Sequence, residues 1–477
     1  MVSASEMGAL YSTQMMDTLQ QWVVSMSSSQ IRSFRHTATV IALEAETALC
    51  DVAAAVEKEA VVVARQREGE KKRKGSKGGS VRDKELEKKA REISKRQKKL
   101  TSFIKEFVDR YAMIHTDNSI DAELSHSVFV HRYRDLDPNI RAECVRAVGL
   151  WFRKYPKHFF EADHILYIAW VLSDSNNHVR LEAVKALSGI YEQVDYIGLL
   201  NHFTERFKSR LIEMATSDTE LSIRVAVIQV LGAIDSHFLV TEEREKLCLL
   251  LFDEEPKVRK AVSQFVRDVW EEAVGEELSE RHKPTDKDKE RIGLKVLAAL
   301  LVKWSKALDN LFGDAEESEL GDGPGTDDIV NGPVRNTNQR KEVLGLVGTE
   351  ARGRVSLAVE ALWDEVETIS DWELLLDILL LDHSASGEES QLISTPRAKS
   401  KTNGKKANDD FVVDEAWRLE EVEESILLEV LVAVLRKTKA ESAGAKKVRI
   451  CALFLLFLLT PLRREEKRIS LMISHEH

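Results

Sequence analysis

In four places along the chain a short polar turn precedes Val/Ile-Arg or a close equivalent, followed by apolar residues at steps of four. The segments read DPNIRAECVRAVGLWF from Asp137, DSNNHVRLEAVKALSGIY from Asp174, DTELSIRVAVIQVLGAI from Asp218 and DEEPKVRKAVSQFVRDVW from Asp253. Ile140, Cys144 and Val148 keep the step of four, as do Val179, Ala183 and Leu187, then Ile223, Val227 and Leu231. That step holds side chains on one helix face, the face a neighbouring helix must cover. Asp137 ahead of Pro138 starts a helix well: the carboxylate accepts an orphan amide and proline suits the first turn. Pro256 does the same behind Glu254 and Glu255. The arginines stand at 141, 180, 224 and 259, at intervals of 39, 44 and 35 residues. Helical hairpins repeating every roughly 40–47 residues have this signature. One hairpin cannot bury its apolar face alone, so a stack is expected, with a long surface suited to other macromolecules.

Ahead of the repeats the period changes. Residues 10–35 read as helical, ending in the polar run Ser25 to Gln30. Two long helices are expected over about 36–68 and 81–115, joined by GEKKRKGSKGGS. In the second, Leu86, Ala90, Ile93, Gln97, Leu100, Ile104, Phe107 and Tyr111 alternate steps of four and three, a heptad seam. Ile41, Ala45, Ala48, Val52 and Ala55 offer matching steps on the first. The expectation is an antiparallel hairpin with arms near 50 Å at about 1.5 Å per residue. Few β-branched alternations and only eight prolines complete an all-α reading.

Charge sharpens the picture at that hairpin. The chain is acidic, at −11, yet residues 65–99 hold 16 Lys/Arg against 6 Asp/Glu, a local +10 that leaves −21 elsewhere. A basic element segregated in an acidic chain suits a polyanion. Lys71, Lys72, Arg73 and Lys74 crowd the turn, and Lys95, Arg96, Lys98 and Lys99 sit on the returning arm. These eight are the candidate phosphate contacts, with no pattern for base readout.

Chemical motifs are sparse. The four cysteines, Cys50, Cys144, Cys248 and Cys451, lie far apart without a Cys-x-x-Cys pair, which argues against a zinc ribbon or disulfide framework and for a reducing compartment. GSKGGS lacks the ending of a phosphate-binding Walker loop, and neither His-Glu-x-x-His nor Gly-x-Ser-x-Gly occurs. His158 and His164, six apart, are poorly spaced for a shared metal on one helix. No catalytic residue, cofactor, metal, membrane anchor or small-molecule substrate is expected. The apolar run Ile450 to Leu459 is shorter than the ~20 residues a bilayer requires.

Aromatic spacing adds a second candidate surface. Tyr133, Trp170 and Phe207 lie 37 residues apart in each case, near one repeat interval, so they are expected to line one row on neighbouring hairpins. Arg134 and Arg206 flank the outer rings, and the charged neighbours of Tyr133 and Phe207 argue for partial exposure.

The block from Ser127 to Arg210, carrying VFVHRYRD, GLWFRKYP, AWVLSDSNNHVRLEAVKALSGIY and FTERFKSR, resembles the stromalin conservative domain of the stromal antigen subunits of cohesin. LQQWVVSMSSSQIRSFRHTATVIALEAETAL from Leu19 and ILLEVLVAVLRKTK near Ile426 are similar to the same family. The resemblance implies a HEAT-like helical-repeat solenoid of the armadillo type in the nucleus, associated with chromatin. It also implies binding to the kleisin subunit of cohesin, contact with DNA, and docking of regulator peptides with aromatic motifs on Tyr133, Arg134, Trp170, Arg206 and Phe207. Leu166 stands where the family pattern leads to a lysine, and Ala162 where it leads to an aspartate. Relatives are usually about twice this length, so a chain cut short at its C-terminus is expected.

The expected layout is N-terminal helices and basic hairpin over 8–123, the stromalin conservative domain over 124–210, further repeats over 211–312, a disordered loop over 313–341, repeats over 342–383, a disordered linker over 384–410, helices over 411–460 and an atypical tail over 461–477. The leading functional expectation is a cohesin scaffold without enzymatic activity. Two alternatives stand beside it: an adaptor or karyopherin-type repeat protein that binds peptides and no DNA, and a nonfunctional truncated product.

Overall fold

The computed structural model describes residues 1–74, 81–108, 128–161, 164–279, 285–319, 351–381, 383 and 417–441, and among these there are helices and turns but no strand. The expected loop and linker over 320–341 and 384–410, and the tail over 461–477, lie outside the described residues. The chain forms two compact units, Met1–Leu239 and Val240–His477.

The first unit opens with α1 (Val2–Glu6), α2 (Ala9–Ser12) and α3 (Met15–Ser27). Two long helices follow, α4 (Arg32–Lys74) and α5 (Val81–Val108), packed antiparallel as the heptads predict. At about 1.5 Å per residue the described arms are roughly 65 and 42 Å long, so the first is longer than expected, and residues 109–115 of the second lie outside the described residues. The α5 seam is as read: Ile93, Leu100, Ile104 and Phe107 are buried. On α4 Ala45 and Val52 are buried as read, while the other three expected positions, Ile41, Ala48 and Ala55, each give way to the next residue. Ile41 is exposed, and the buried heptad is Ala42, Ala45, Leu49, Val52, Val56 and Val63, whose larger members fill the space against α5.

The repeats follow: α6 (Val128–Arg132), α7 (Pro138–Lys154), α8 (Pro156–Glu161), α9 (Ile165–Val171), α10 (Asn177–Tyr191), α11 (Asn201–Ser217) and α12 (Leu221–Phe238), with a 3-10 turn over Val194–Leu200. All nine apolar positions singled out in the first three repeats are buried. Asp137 caps α7 as expected, accepting from the Asn139 amide at 3.0 Å, and Asn176 caps α10. At Gly149 the helices α7 and α10 come so close that a Cβ would lie 2.6 Å from that of Ala186. Trp151, deep in the core, donates its Nε1 to Thr47 Oγ1 at 2.9 Å, tying the repeats to α4.

The conserved-looking arginine has a specific job. Arg141 donates Nη1 to the carbonyls of Asp135 and Leu136, and its Nε and Nη2 to the two oxygens of Asp174 at 2.7 and 2.8 Å. Arg180 repeats this with the carbonyls of Asp174 and Ser175 and the carboxylate of Asp218, both side-chain bonds at 2.9 Å. Each aspartate also accepts the amide two residues on, at Asp137, Asn176 and Glu220. Arginine therefore anchors its own turn and grips the next. The ladder starts earlier than the four repeats suggested. Arg35 on α4 reaches Asp135 at 2.8 Å while holding the carbonyls of Ser29 and Gln30.

Such pairs are two-pronged and mostly out of water, so removing one partner strands the other. Arg180→Ala is expected to lower the stability of the full chain by about 2–3 kcal/mol. Lys72→Ala, which removes an exposed ion pair with Glu68, should cost under about 0.5 kcal/mol. Urea denaturation of both variants measures the contrast, and equal losses would deny the ladder its role. Acid adds a second expectation. Burial raises the Asp135 pKa, but the hydrogen bonds from Arg35 and the Asp137 amide, with the charges of Arg35 and Arg132, outweigh it and leave it below the ordinary value. A lowered carboxylate contributes stability that is full above its unfolded value of about 3.9 and is lost as pH falls through the folded one. Asp135→Asn should therefore flatten the stability profile below about pH 4, read by thermal melts at stepped pH.

The second unit contains α13 (Thr241–Cys248), α14 (Pro256–Ser279), α15 (Asp286–Glu319), α16 (Ala351–Leu362), α17 (Glu367–Ser370), α18 (Trp372–Leu379) and α19 (Glu421–Glu441). Residues 313–319, expected at the start of the Gly-rich loop, instead continue α15 through an Ala/Glu-rich segment. Arg259 obeys the same rule as its counterparts: it holds the carbonyls of Asp253 and Glu254 and reaches Glu360 at 2.7 Å. His383 is buried between two backbone groups. Its Nε2 lies 2.8 Å from the Ile378 carbonyl, and its Nδ1 accepts the Leu419 amide at 3.2 Å, which fixes the tautomer and pins the approach to α19.

Candidate interaction surfaces

The first surface grows out of the α6–α9 contact. Phe129 on α6 packs against Trp151, Tyr133 and Tyr167, with centroids 5.5, 5.8 and 5.0 Å away. Tyr133 lies 4.8 Å from Tyr167 and stacks at 6.2 Å on Trp170, which also meets Tyr167 edge-on at 5.4 Å. Tyr133 is thereby only 5% exposed, against the expectation of a partly open ring, because aromatic faces enclose it on several sides. Trp170, the outermost ring, is 48% exposed. The exposed Arg134 lies over both, 4.9 Å from the Tyr133 centroid and 5.6 Å from that of Trp170. The result is an indole with a cation beside it, built on a rigid aromatic base.

Phe207 lies outside this ring cluster. It is half-buried on α11, 5.1 Å from Phe203 and under Arg206 at 5.4 Å, and among the described residues no ring contact links it to Trp170. The repeats are unequal in length. Counted back from the ladder arginines at 141, 180 and 224, the three rings stand 8, 10 and 17 residues away, so they are not equivalent positions. Tyr167 and Phe129, which sequence reasoning passed over, complete the cluster; both sit at steps of three or four from a singled-out aromatic. Leu166 is half-buried, and Ala162 lies outside the described residues.

The second surface is the basic arm. Lys71 and Lys72 are exposed, the latter paired with Glu68 at 2.9 Å. The side chains of Arg73 and Lys74 lie outside the described residues. Lys95 and Lys98 are exposed, and they continue a stripe that the sequence reading missed: Lys84, Lys88, Arg91, Lys95 and Lys98 alternate steps of four and three. Each stands two positions before a seam residue, which turns it roughly opposite the face packed on α4. The signal lay in the same heptad count as the seam itself. Arg96 and Lys99 behave differently. Arg96 is shared by Glu92 at 3.0 Å and Glu59 at 3.6 Å, and Lys99 donates to the Tyr11 carbonyl at 2.5 Å.

Neither surface has the furniture of catalysis. Among the described residues no group of three His, Cys, Asp or Glu could hold a metal ion, and no helix is long and apolar enough to cross a membrane. Burial pushes the Cys50 and Cys144 thiols up, away from nucleophilic or ligating thiolate.

Together these features define a helical-repeat fold with an exposed indole on an aromatic base and a basic arm. Residues 134–208 match the stromalin conservative domain and residues 1–89 match the STAG domain. Over these two segments the chain is similar to the stromalin family. It is 36% identical over 270 residues to cohesin subunit psc3 of Schizosaccharomyces pombe, covering 56% of this chain and 26% of that protein. It is 27% identical over 384 residues to cohesin subunit SA-1 of Xenopus laevis, covering 80% and 26%. The chain thus spans about a quarter of the length of these relatives. Among solved structures, cohesin subunit Scc3 from Z. rouxii shares the fold with a TM-score of 0.64 at 19% identity, over 94% of this chain and 44% of that one.

Proposed function

We propose that this chain is a cohesin scaffold subunit, nuclear and chromatin-associated, that holds the kleisin subunit, DNA and regulator peptides together in sister chromatid cohesion. The observation that carries the reading is the exposed Trp170 with Arg134 beside it, inside the stromalin conservative domain. Large aromatic residues left half in water on a rigid base are typical interface anchors. The relatives psc3 and SA-1 are cohesin subunits, which supplies the assembly. Tyr133 is the buried support of the indole, Arg134 is placed to meet a carboxylate on a ligand, and Arg206 with Phe207 forms a separate point on the neighbouring helix. The exposed cations of α5, with Lys71 and Lys72, are the DNA-facing element. The stripe spans roughly 21 Å, long enough to track a phosphate row.

An extended kleisin segment collects its affinity from many modest contacts across successive hairpins. Isothermal calorimetry of the full chain with a kleisin segment should register saturable binding. A flat titration at tens of micromolar protein would refute the scaffold assignment. The exposed basic stripe argues against a purely peptide-binding adaptor, which has no use for it.

A further inference from the structure

The N-terminal segment folds back onto the base of the basic arm. Helices α1 and α2 meet at Gly8, whose φ of +76° is the left-handed conformation glycine adopts freely. Leu10 is fully buried, which seats α2. Tyr11 then does three things at once. Its hydroxyl lies 2.7 Å from Ser5 Oγ, its ring lies under the Arg96 guanidinium at 6.0 Å, and its carbonyl accepts from Lys99 Nζ at 2.5 Å. Arg96 and Lys99 each directly follow a member of the exposed stripe, Lys95 and Lys98, one helical step around α5. Two cations beside an open basic surface are thus occupied by the protein's own groups.

We propose that residues 1–12 form a releasable clasp that withholds Arg96 and Lys99 from a polyanionic ligand. Closed, the arm offers the five cations of the stripe; open, it offers seven. The Lys99 ammonium on a carbonyl is inexpensive to free, and Arg96, once the ring is gone, keeps only surface ion pairs with Glu92 and Glu59, which a phosphate can replace. A phosphate row approaching the stripe can therefore compete for them. The inference rests on the stripe binding nucleic acid.

The test uses the full chain and a labelled random-sequence 30-base-pair duplex, with affinity measured by anisotropy across a salt series. Each phosphate neutralised contributes about 0.9 to the log–log slope. Opening the clasp with Leu10→Asp and Tyr11→Ala should steepen the slope by about 1.8. In the closed protein Arg96→Gln with Lys99→Gln should move the slope by less than about 0.5; in the opened protein the same pair should return it to the closed value. An unchanged slope on opening overturns the clasp, and so does a flattening of about 1.8 from the glutamine pair in the closed protein. If the Leu10 change impairs folding, Tyr11→Ala alone removes the ring over Arg96 and leaves the carbonyl that holds Lys99, so about half the steepening, roughly 0.9, is expected. Failure of the underlying reading looks different: neutralising the five stripe cations would then leave affinity untouched in closed and open proteins alike.

Discussion

Replacing Trp170 with alanine is expected to weaken the docking of an aromatic, acidic peptide by about 2–4 kcal/mol, roughly thirty- to a thousand-fold in Kd. The size follows from the ring's position. Trp170 is the outermost member of a stacked set whose inner rings, Tyr133 and Tyr167, fix its orientation before any ligand arrives. A preorganised anchor loses little entropy on binding, so its removal is felt almost entirely as lost contact. Half the indole is already in water, and thermal stability should fall little, by under about 1 kcal/mol. Tyr133→Ala should do the reverse, opening a cavity in the base at a cost of about 3–5 kcal/mol of stability. Calorimetry with a peptide, run beside thermal melts of both variants, separates the two. A large fall in melting temperature for Trp170→Ala without selective loss of binding would make the indole a packing residue. Arg134→Gln should cost about tenfold in affinity for a peptide with a carboxylate beside its aromatic residue, and nothing for one without.

The second large effect belongs to the basic arm. Five phosphates neutralised by Lys84, Lys88, Arg91, Lys95 and Lys98 give a log–log salt slope near −4.5, so affinity should fall about five-hundredfold between 50 and 200 mM salt. Changing all five to glutamine should abolish most of that dependence and reduce affinity at 50 mM salt by at least about a hundredfold. The variant should remain folded, because the stripe lies away from the buried seam of Ile93, Leu100 and Ile104. Arg91 already pairs with Glu87 at 2.8 Å, so its share should be the smallest of the five. Filter binding with duplexes of unrelated sequence should give equal losses, as phosphate contacts carry no sequence information. Undiminished binding by the five-residue variant would dismiss the arm as a DNA-contacting element.

How much of this could be read beforehand follows the physics of each feature. Short-range periodicity reports burial well, which is why the helical hairpins and the faces through Ile140, Val179 and Ile223 were legible. Register against a distant partner is less so. The α4 stripe through Ile41 and the buried one through Ala42 both satisfy heptad spacing, and only the packing of α3 and α5 decides between them. Tyr133, Trp170 and Phe207 show a different limit: on repeats of unequal length an equal numerical spacing does not mark equivalent positions. The ladder lay open to inspection, since an aspartate stands six residues before each of the four arginines, but a motif defined by Val/Ile-Arg hides Arg35, which follows a phenylalanine. The charges of Arg96 and Lys99 count fully in composition, whereas their contacts with Tyr11 arise from residues about ninety positions away.

The arginine rungs also say where this chain can change in length. From Arg141 onward each ladder arginine stands six residues after an aspartate, while the intervals between these arginines run from 35 to 44. The longest interval accommodates its surplus in the 3-10 turn Val194–Leu200, away from the paired side chains. Two rungs bridge far more: Arg35 meets its acceptor 100 residues later, and Arg259 meets Glu360 across 101. The distal halves of α4 and α5 are, in this sense, a detour inserted between adjacent rungs. Deletions or insertions there, made in whole heptads on both arms so that the seam stays matched, should leave the stack intact and alter only how far the basic arm reaches.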